Sequence, residues 1–287
     1  MVDIVIIGAG PAGISASLYA KRANLDVAVL YHGESNVEQA HLIDNYYGFP
    51  GGIIGTDLYN NGIKQAKELG VDVREAQVVG IENLGNHFNV KTVKGNFETK
   101  AIIISTGNKK VKPSIPGVKE FEGKGVSYCA ICDAFFYRNK KVAIIGNGEF
   151  AISEANELSH IAENVTILTD GLEAPECEYE INTKKIKQIV GEAMVNKIEF
   201  EDGSFLDIDG VFIAIGEAGA VDFAKTLGVL QNDDNIKVNE KMETNIKGVY
   251  ACGNITGGLL QVSKAVYEGA TAGLSAVNYI RNLKGEK

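Results

Sequence analysis

Short, unbroken runs of branched apolar residues recur along this chain, and most of them lead into a glycine-containing turn. The clearest runs are Ile4–Ile7, Val27–Leu30, Ala101–Ile104, Lys141–Ile145, Val165–Leu168 and Gly210–Gly216. Apolar runs of this length without alternating polar residues are typical of parallel strands that are covered on both faces. Two longer segments, Ala12–Ala23 and Glu149–Ile161, follow glycine turns and predict helices.

These elements form a diverged internal repeat, because strand, glycine turn, helix and strand occur near the N-terminus and again after residue 140. Each copy also carries short alternating strands, at Phe88–Val93 and Asn96–Thr99 in the first copy and at Lys197–Phe205 in the second. A final helix is expected over Gln261–Leu283, with small residues on one face. The pattern predicts an α/β fold with two Rossmann-like, three-layer ββα dinucleotide-binding domains, the second inserted in the first.

A length of 287 residues suits two such domains. We expect the first domain to comprise residues 1–112 and 241–287, and the inserted domain to comprise residues 113–240.

The first glycine loop has the complete G-x-G-x-x-G spacing, with Gly8, Gly10 and Gly13 placed around Pro11 and Ala12. The first glycine permits the turn, the second lets a pyrophosphate approach the backbone, and the third allows close packing of helix and strand. A phosphate bound there meets unpaired N–H groups at the helix N-terminus. We therefore expect a dinucleotide at this loop, with a ligand-free glycine turn as the alternative.

The second loop runs from Gly146 to Ala151, a tolerated variant of the same motif. An NADPH site needs Arg or Lys for the 2′-phosphate after the next strand, but that strand is followed by Thr169-Asp170-Gly171. Asp170 would repel a phosphate and could bind a plain ribose hydroxyl. We expect this domain to bind no nicotinamide, with NADH and NADPH as alternatives; Lys184 or Lys185 could still fold back to bind a phosphate.

Cys129 and Cys132 form a C-x-x-C pair that is followed directly by Asp133. Two thiols at this spacing can close a disulfide, and a thiolate of such a pair attacks a partner disulfide before the second thiol resolves the mixed disulfide. Asp133 could donate or accept the proton. Half a zinc site and two structural cysteines are the alternatives. No metal site is expected, because the remaining cysteines, Cys177 and Cys252, are isolated in the sequence.

The formal net charge of −9 disfavours a general binder of nucleic acid or of an anionic membrane. The basic clusters Lys109–Lys112 and Lys184–Lys187 are expected to be solvated, with a docking patch for an acidic partner as the alternative. The N-terminus enters a strand without a signal-peptide pattern, and no apolar run reaches the ~18 residues that span a bilayer. We expect a cytoplasmic protein.

Together these motifs resemble the low-molecular-weight thioredoxin reductase family over nearly the whole chain. The segments that carry the resemblance are the first glycine loop, Asp44–Gly51, Ser105-Thr106-Gly107, Cys129–Asp133 with Phe135–Asn139, the second glycine loop, and Cys252-Gly253-Asn254 with Gln261. The resemblance implies FAD in the first domain, a redox dithiol on the second, and a homodimer.

The resemblance also implies roles for single residues. Cys132 would face the flavin, Cys129 would attack the substrate disulfide, and Asp133 would donate the proton. The implied FAD-binding residues are Gly8, Gly10, Pro11, Ala12, Gly13, Asn45, Val78, Thr106, Gly107, Gly253, Asn254, Gln261 and Val262.

Two departures from the family pattern affect the expected electron donor and the flavin site. Thr169-Asp170-Gly171 replaces the basic NADPH motif, and Asn254 replaces an aspartate that binds a ribityl hydroxyl. The chain thereby resembles the ferredoxin-dependent flavin thioredoxin reductases. That resemblance implies a path from reduced ferredoxin through FAD to the Cys129–Cys132 disulfide and on to thioredoxin or a thioredoxin-like protein. An NADH- or NADPH-dependent disulfide reductase and a flavoprotein redox sensor that does not turn over are the alternatives.

Overall fold

A computed structural model of the protein describes residues 1–107, 113–128, 130–215, 227–232 and 235–285. The chain separates into two compact units, one made of Met1–Lys109 with Gly219–Lys287 and the other of Lys110–Ala218. The second unit is therefore an insertion in the chain of the first.

The second boundary between the units lies earlier in the chain than residue 240, where the sequence analysis placed it. The described residues just before 240 contact the first unit, and these contacts explain the difference. The Leu230 N–H donates to Asn245 Oδ1 at 2.7 Å, and the side chain of Asn235 lies about 3 Å from the position of a Cβ on Gly257.

The first unit contains a seven-stranded mixed sheet. Its strands are β1 (Val2–Ile7), β2 (Val27–Tyr31), β3 (Asp72–Glu75), β4 (Val78–Asn83), β5 (Phe88–Thr92), β6 (Gly95–Ile104) and, after the insertion, β17 (Val249–Ala251). Its helices are α1 (Pro11–Arg22), α2 (Gly55–Glu68) and α5 (Val262–Lys284), with 3₁₀ helices at Asn36–Gln39 and Asn254–Thr256. A small hairpin is formed by β15 (Gln231–Asn232) and β16 (Asn235–Ile236).

Strand β6 is one continuous strand, although the sequence analysis divided it into Asn96–Thr99 and a separate run from Ala101. Its first half pairs antiparallel with β5, and its second half pairs parallel with β1 and β17. A polar alternating segment and a fully buried apolar segment therefore belong to the same strand, because only its second half is covered on both faces.

Helices α1 and α5 pack together over the sheet of the first unit, and glycines in α5 permit their close approach. A Cβ on Gly269 would lie 2.1 Å from the backbone oxygen of Ala12, and one on Gly273 would lie 2.6 Å from that of Ala16. The small-residue face predicted for the last helix thus packs on another helix. Beneath the helices lie Ile4, Ile6, Val27, Val29, Ala101 and Ile103, all buried.

The second unit contains a parallel five-stranded sheet in the order β10-β9-β8-β14-β7. The strands are β7 (Val126–Ser127), β8 (Lys141–Ile145), β9 (Asn164–Leu168), β10 (Glu180–Asn182) and β14 (Gly210–Ile213). Helices α3 (Ala130–Asp133) and α4 (Glu149–Ser159) and a 3₁₀ helix at Ala134–Tyr137 belong to the same unit. A separate antiparallel sheet is formed by β11 (Ile186–Gly191), β12 (Val195–Phe200) and β13 (Phe205–Asp207).

The second unit has three layers. Ile145 and Ile213 of the parallel sheet share a buried apolar cluster with Ile189, Ile198 and Phe200 of the antiparallel sheet. Helix α4 packs against β8 and β9. The predicted α/β fold with two Rossmann-like domains is confirmed. In the part of the chain that the structure describes, no helix combines the length and apolar character needed to cross a membrane.

Candidate active site

The first glycine loop joins β1 to α1 in a turn that has no room for a side chain at Gly8 or Gly13. Gly8 has a φ of +107°, and a Cβ there would lie 2.5 Å from the backbone oxygen of Ser105. A Cβ on Gly13 would lie only 1.9 Å from the oxygen of Gly8. Pro11 is the first residue of α1, where its missing N–H costs nothing. The loop therefore leaves the N-terminus of α1 open to an anionic group.

The segment after β6 lies against this loop. The Ser105 hydroxyl donates to the backbone oxygens of Ile7 and Gly8, at 2.9 and 3.1 Å. The next residue, Thr106, has a buried hydroxyl oxygen that finds no hydrogen-bond partner among the described residues. Gly107 follows with a φ of +72°. A buried hydroxyl without a partner costs about 1–3 kcal/mol, so we expect Thr106 to bind a group that is not among the described residues.

The turn before α5 meets the same loop from the other side. A Cβ on Gly253 would lie 2.9 Å from the Cβ of Ala12, and Asn254 begins the 3₁₀ helix. An ion pair between the partly buried Lys264 and the buried Glu268 stabilises this turn: Glu268 accepts from the Gly253 N–H at 2.8 Å, and Lys264 donates to the Gly253 oxygen at 2.9 Å. The Lys264 and Glu268 side chains are themselves 3.1 Å apart. Both residues escaped the sequence analysis.

Two further predicted residues are brought together from opposite ends of the first unit. The Asn45 side-chain amide donates to Gln261 Oε1 at 3.0 Å, across 216 positions of sequence. Val262, the next residue, begins α5. Val78 is the buried first residue of β4, two positions after Ala76, whose N–H donates to the Tyr31 oxygen at the end of β2 at 2.8 Å.

The residues of the first unit fit an FAD. The glycine loop offers backbone N–H groups to a pyrophosphate, and the buried Thr106 hydroxyl offers a hydrogen bond that no described residue uses. FAD bound here would supply the redox group, while the chain supplies the phosphate site and the surrounding polar contacts.

Replacing Thr106 with valine is expected to weaken FAD binding about tenfold and to leave the stability of the apoprotein unchanged or slightly higher. Valine keeps the shape of threonine but removes a buried hydroxyl that hydrogen-bonds no described residue. Titration of apoprotein with FAD, followed by flavin fluorescence, measures the affinity, and thermal unfolding measures the stability. Ser105→Ala is the contrasting variant, because the Ser105 hydroxyl is already used within the loop. An unchanged FAD affinity for Thr106→Val would contradict this role.

The dithiol segment belongs to the second unit. Cys129 lies outside the described residues, and of Cys132 only the backbone is described, within α3. Asp133 ends α3, and its Oδ2 accepts a hydrogen bond from the Ser127 hydroxyl at 2.6 Å. This carboxylate is thus oriented by Ser127, the last residue of β7, six positions earlier in the chain. Burial, and secondly the charge of Asp133, raises the pKa of Tyr137.

A second carboxylate lies beside α3 and was missed by the sequence analysis. Glu154 on α4 is only 7% exposed, and its Oε2 accepts a hydrogen bond from the Ala130 N–H at 2.6 Å. The signal for this residue was present, because Glu154 interrupts the buried apolar stripe of α4 formed by Phe150, Ala151, Ala155 and Leu158. A charged residue in such a stripe indicates a specific partner.

The second glycine loop lies at the carboxyl ends of β8 and β9, beside a cleft of about 460 Å³. A Cβ on Gly146 would lie 2.1 Å from the Ala214 oxygen, so any other residue at this position would clash with the backbone. The cleft is lined by residues of several segments, among them Pro113, Ile115, Gly146, Asn147, Asp170 and Lys185. Its position is that of the ligand crevice of an open α/β sheet.

Lys185 folds back toward the end of β9, as the sequence analysis allowed, but it reaches an acid there. Its Nζ lies 2.8 Å from Asp170 Oδ2, and the Ile186 N–H donates to Asp170 Oδ1 at 2.8 Å. The hydrogen bond to Asp170 raises the pKa of Lys185. Lys184 is likewise paired, at 2.8 Å from Asp202 Oδ2.

The described residues contain no group of three or more histidine, cysteine, aspartate or glutamate side chains that could hold a metal ion. Among the isolated cysteines, Cys252 is fully buried, and burial raises the pKa of its thiol.

Comparison with known proteins places the chain in a class. Residues 2–269 match the family model for pyridine nucleotide-disulphide oxidoreductases. Thioredoxin reductases from Listeria innocua and Bacillus subtilis are 32% and 31% identical to the chain, each over 98% of its length and over 95% and 96% of their own.

Solved structures agree with this match. The atypical thioredoxin reductase TRi from Desulfovibrio vulgaris Hildenborough is 38% identical, with a TM-score of 0.94 over 98% of this chain and 99% of that one. A ferredoxin-flavin thioredoxin reductase from Clostridium acetobutylicum is 35% identical, with a TM-score of 0.73 over 99% of both chains.

The fold and the first glycine loop therefore define an FAD-binding flavoprotein of the disulphide oxidoreductase class. Within that class, the chain belongs to the low-molecular-weight thioredoxin reductase family.

Proposed function

We propose that this protein reduces thioredoxin or a thioredoxin-like protein through Cys129 and Cys132, and that reduced ferredoxin rather than NADPH is its electron donor. The choice of donor rests on the ion pair between Asp170 and Lys185. It lies at the end of β9, where an NADPH-binding domain needs a free basic side chain to bind the 2′-phosphate. The ferredoxin-flavin thioredoxin reductase of Clostridium acetobutylicum, 35% identical to this chain, supports the same donor.

The electrostatics of the cleft argue against NADPH. A 2′-phosphate needs uncompensated positive charge or bidentate donors. Here Lys185 is compensated by Asp170, and Lys187, which also lines the cleft together with Glu201, lies 4.0 Å from Glu199. Binding a 2′-phosphate would require Lys185 to give up Asp170, leaving that carboxylate close to the phosphate. The cleft therefore disfavours NADPH much more than it disfavours an unphosphorylated ribose.

The proposed FAD site uses the first unit. The glycine loop with Gly8, Gly10 and Gly13 would receive the pyrophosphate, and Thr106 would donate to or accept from the cofactor. The remaining proposed lining residues are Pro11, Ala12, Asn45, Val78, Gly107, Gly253, Asn254, Gln261 and Val262. When bound, FAD supplies a carrier that takes single electrons from a donor such as ferredoxin and delivers a pair to the Cys129–Cys132 disulfide.

The thiol chemistry belongs to the chain itself. Asp133 takes the proton of the Cys129 thiol as its sulfur attacks one sulfur of the thioredoxin disulfide, and returns that proton to the thiolate released when the mixed disulfide forms. Cys132 then attacks the Cys129 sulfur, which frees the second thioredoxin thiol and closes the Cys129–Cys132 disulfide. The hydrogen bond from Ser127 holds the Asp133 carboxylate in place beside α3 for this proton transfer.

Anaerobic titration tests the donor directly. Reduced ferredoxin, NADH and NADPH are added separately to the FAD-loaded protein, and the loss of flavin absorbance is followed in time. Only reduced ferredoxin is expected to bleach the flavin rapidly and to support reduction of thioredoxin. Rapid bleaching by NADPH with no response to ferredoxin would overturn this choice.

An NADH- or NADPH-dependent reductase of the same family is the second candidate. The cleft beside Gly146 and Asn147 favours it, because Asp170 could accept a hydrogen bond from a plain ribose hydroxyl. The variant Asp170→Ala distinguishes the ferredoxin-dependent from the NAD(P)H-dependent reductase, because it frees Lys185 to bind a 2′-phosphate. Improved bleaching by NADPH in this variant would favour the second candidate.

A flavoprotein sensor would show a dithiol titration but no turnover with thioredoxin or insulin.

The homodimer expected from the family resemblance is part of the proposal, and sedimentation velocity on the purified protein tests it.

A further inference from the structure

Glu154 is a buried acid whose position the thiol chemistry above does not use. It lies on the face of α4 that packs against α3, and it is 7% exposed. Its Oε2 lies 2.6 Å from the backbone nitrogen of Ala130, a short, charge-assisted hydrogen bond. Burying a carboxylate costs free energy unless a well-placed hydrogen-bond donor compensates it. The contact with Ala130 supplies such a donor within the second unit.

One partner of Glu154 is a backbone group of the dithiol segment itself. Ala130 directly follows Cys129 and begins α3, the short helix that contains Cys132. A backbone N–H that is free to donate a hydrogen bond favours the charged form of a neighbouring ionisable group, here a thiolate. Here the Ala130 N–H already donates its hydrogen bond to the carboxylate of Glu154. Glu154 therefore removes one source of thiolate stabilisation and adds a full negative charge in its place.

The two carboxylates of this region are held differently. Asp133 accepts from a hydroxyl group, whereas Glu154 accepts from a peptide N–H and is buried. A partly exposed carboxyl group can take up a proton and pass it to a leaving thiolate. The N–H donor to Glu154 favours the ionised form of its carboxyl group, against the desolvation that burial imposes.

We propose that Glu154 is a positioning residue that makes the Cys129–Cys132 dithiol a stronger reductant by disfavouring its thiolate forms. This inference rests on the proposed function of the dithiol. The half-reaction is the release of two electrons and two protons by two thiols as one disulfide forms. Stabilising a thiolate stabilises the reduced side of this couple and raises its potential, so a fixed negative charge lowers the potential.

The test uses the full-length, FAD-loaded protein and the variant Glu154→Gln. Glutamine keeps an oxygen acceptor for the Ala130 N–H but carries no charge. We expect the reduced variant to react about tenfold faster with iodoacetamide at neutral pH, with the midpoint of its rate–pH profile moved to lower pH. Mass spectrometry of the peptide that contains both cysteines reports the reaction. In equilibrium with glutathione, the dithiol form should gain about tenfold, which corresponds to about 30 mV.

Glu149→Gln is the matched control, because Glu149 begins the same helix but is exposed. It makes the same change in charge and should leave both readouts at their original values. Glu154→Ser is a second neutral variant, with room for water beside the Ala130 N–H, and must shift both readouts in the same direction as Glu154→Gln. It decides the question if the glutamine variant fails to fold.

A dithiol in Glu154→Gln with the original alkylation profile and glutathione equilibrium would overturn the proposal and leave Glu154 a structural residue. Both readouts use only small reagents and neither ferredoxin nor thioredoxin. Failure of the inference is therefore distinguishable from failure of the proposed function, which the donor titration reports.

Discussion

Replacing Cys132 with serine should leave FAD bound and abolish the reduction of thioredoxin. A hydroxyl cannot resolve a mixed disulfide or close the disulfide that accepts the next electron pair. We expect a loss of about 10⁴-fold or more, the scale on which enzymes lose activity when a covalently acting group is removed. The measurement is anaerobic turnover of a thioredoxin disulfide with the donor that bleaches the flavin, alongside the flavin content of the purified variant.

Cys177→Ser is the matched control for this variant. Cys177 is partly exposed, lies in the same unit and is free of any disulfide, so its replacement should preserve both flavin and turnover. Retained thioredoxin reduction in Cys132→Ser would show that the C-x-x-C pair is not the route of the electrons. A colourless Cys132→Ser protein would instead indicate that the substitution disturbs the fold.

Gly13→Val should yield a protein without bound FAD and with strongly reduced stability. The first atom of any side chain at this position would lie 1.9 Å from the Gly8 oxygen and 2.5 Å from the Ser105 hydroxyl. This clash can be removed only if α1 moves away from β1. Such a movement disrupts both the phosphate site and the packing of the helix on the strand. We expect a loss of about 3 kcal/mol or more in the free energy of unfolding. Thermal unfolding and the ratio of flavin to chain measure the two effects.

Gly148→Ala provides the comparison from the second glycine loop. Its φ is −120°, and no heavy atom lies within 4 Å of the position of a new Cβ, considering the described residues. This variant should keep its flavin and its melting temperature within a few degrees of the original. Loss of FAD in Gly148→Ala, or full FAD content in Gly13→Val, would contradict the assignment of the cofactor to the first loop.

Local motifs allowed much of the site to be predicted. Gly8 and Gly13 could be identified because the tight turn at which they lie is a property of a few consecutive residues. The lack of Arg or Lys in Thr169-Asp170-Gly171, directly after β9, was equally local, and the structure pairs Lys185 with Asp170 there. Asn45 and Gln261, now joined by a hydrogen bond, were named from family resemblance, since nothing in their spacing connects them.

The residues that sequence reasoning missed are buried charges whose partners are distant or belong to the backbone. Glu154 accepts from a peptide N–H 24 positions away, and the Lys264–Glu268 pair looks like an ordinary surface i,i+4 pair until its burial is known. A charged side chain in an amphipathic helix gives no sign of which backbone group it will meet. Its burial and its partner are set by how two elements pack.

The chain's own residue order determined the α/β class, the repeated strand–turn–helix units, the glycine turns and the position of the dithiol before Asp133. These features depend on backbone conformation and on hydrophobic periodicity, which act over a few residues. Only the tertiary structure decided that β6 is one strand with two kinds of partner, that residues before 240 join the first unit, and that Lys185 is neutralised by Asp170. Each of these depends on contacts between segments far apart in sequence, where packing and charge pairing outweigh local preference.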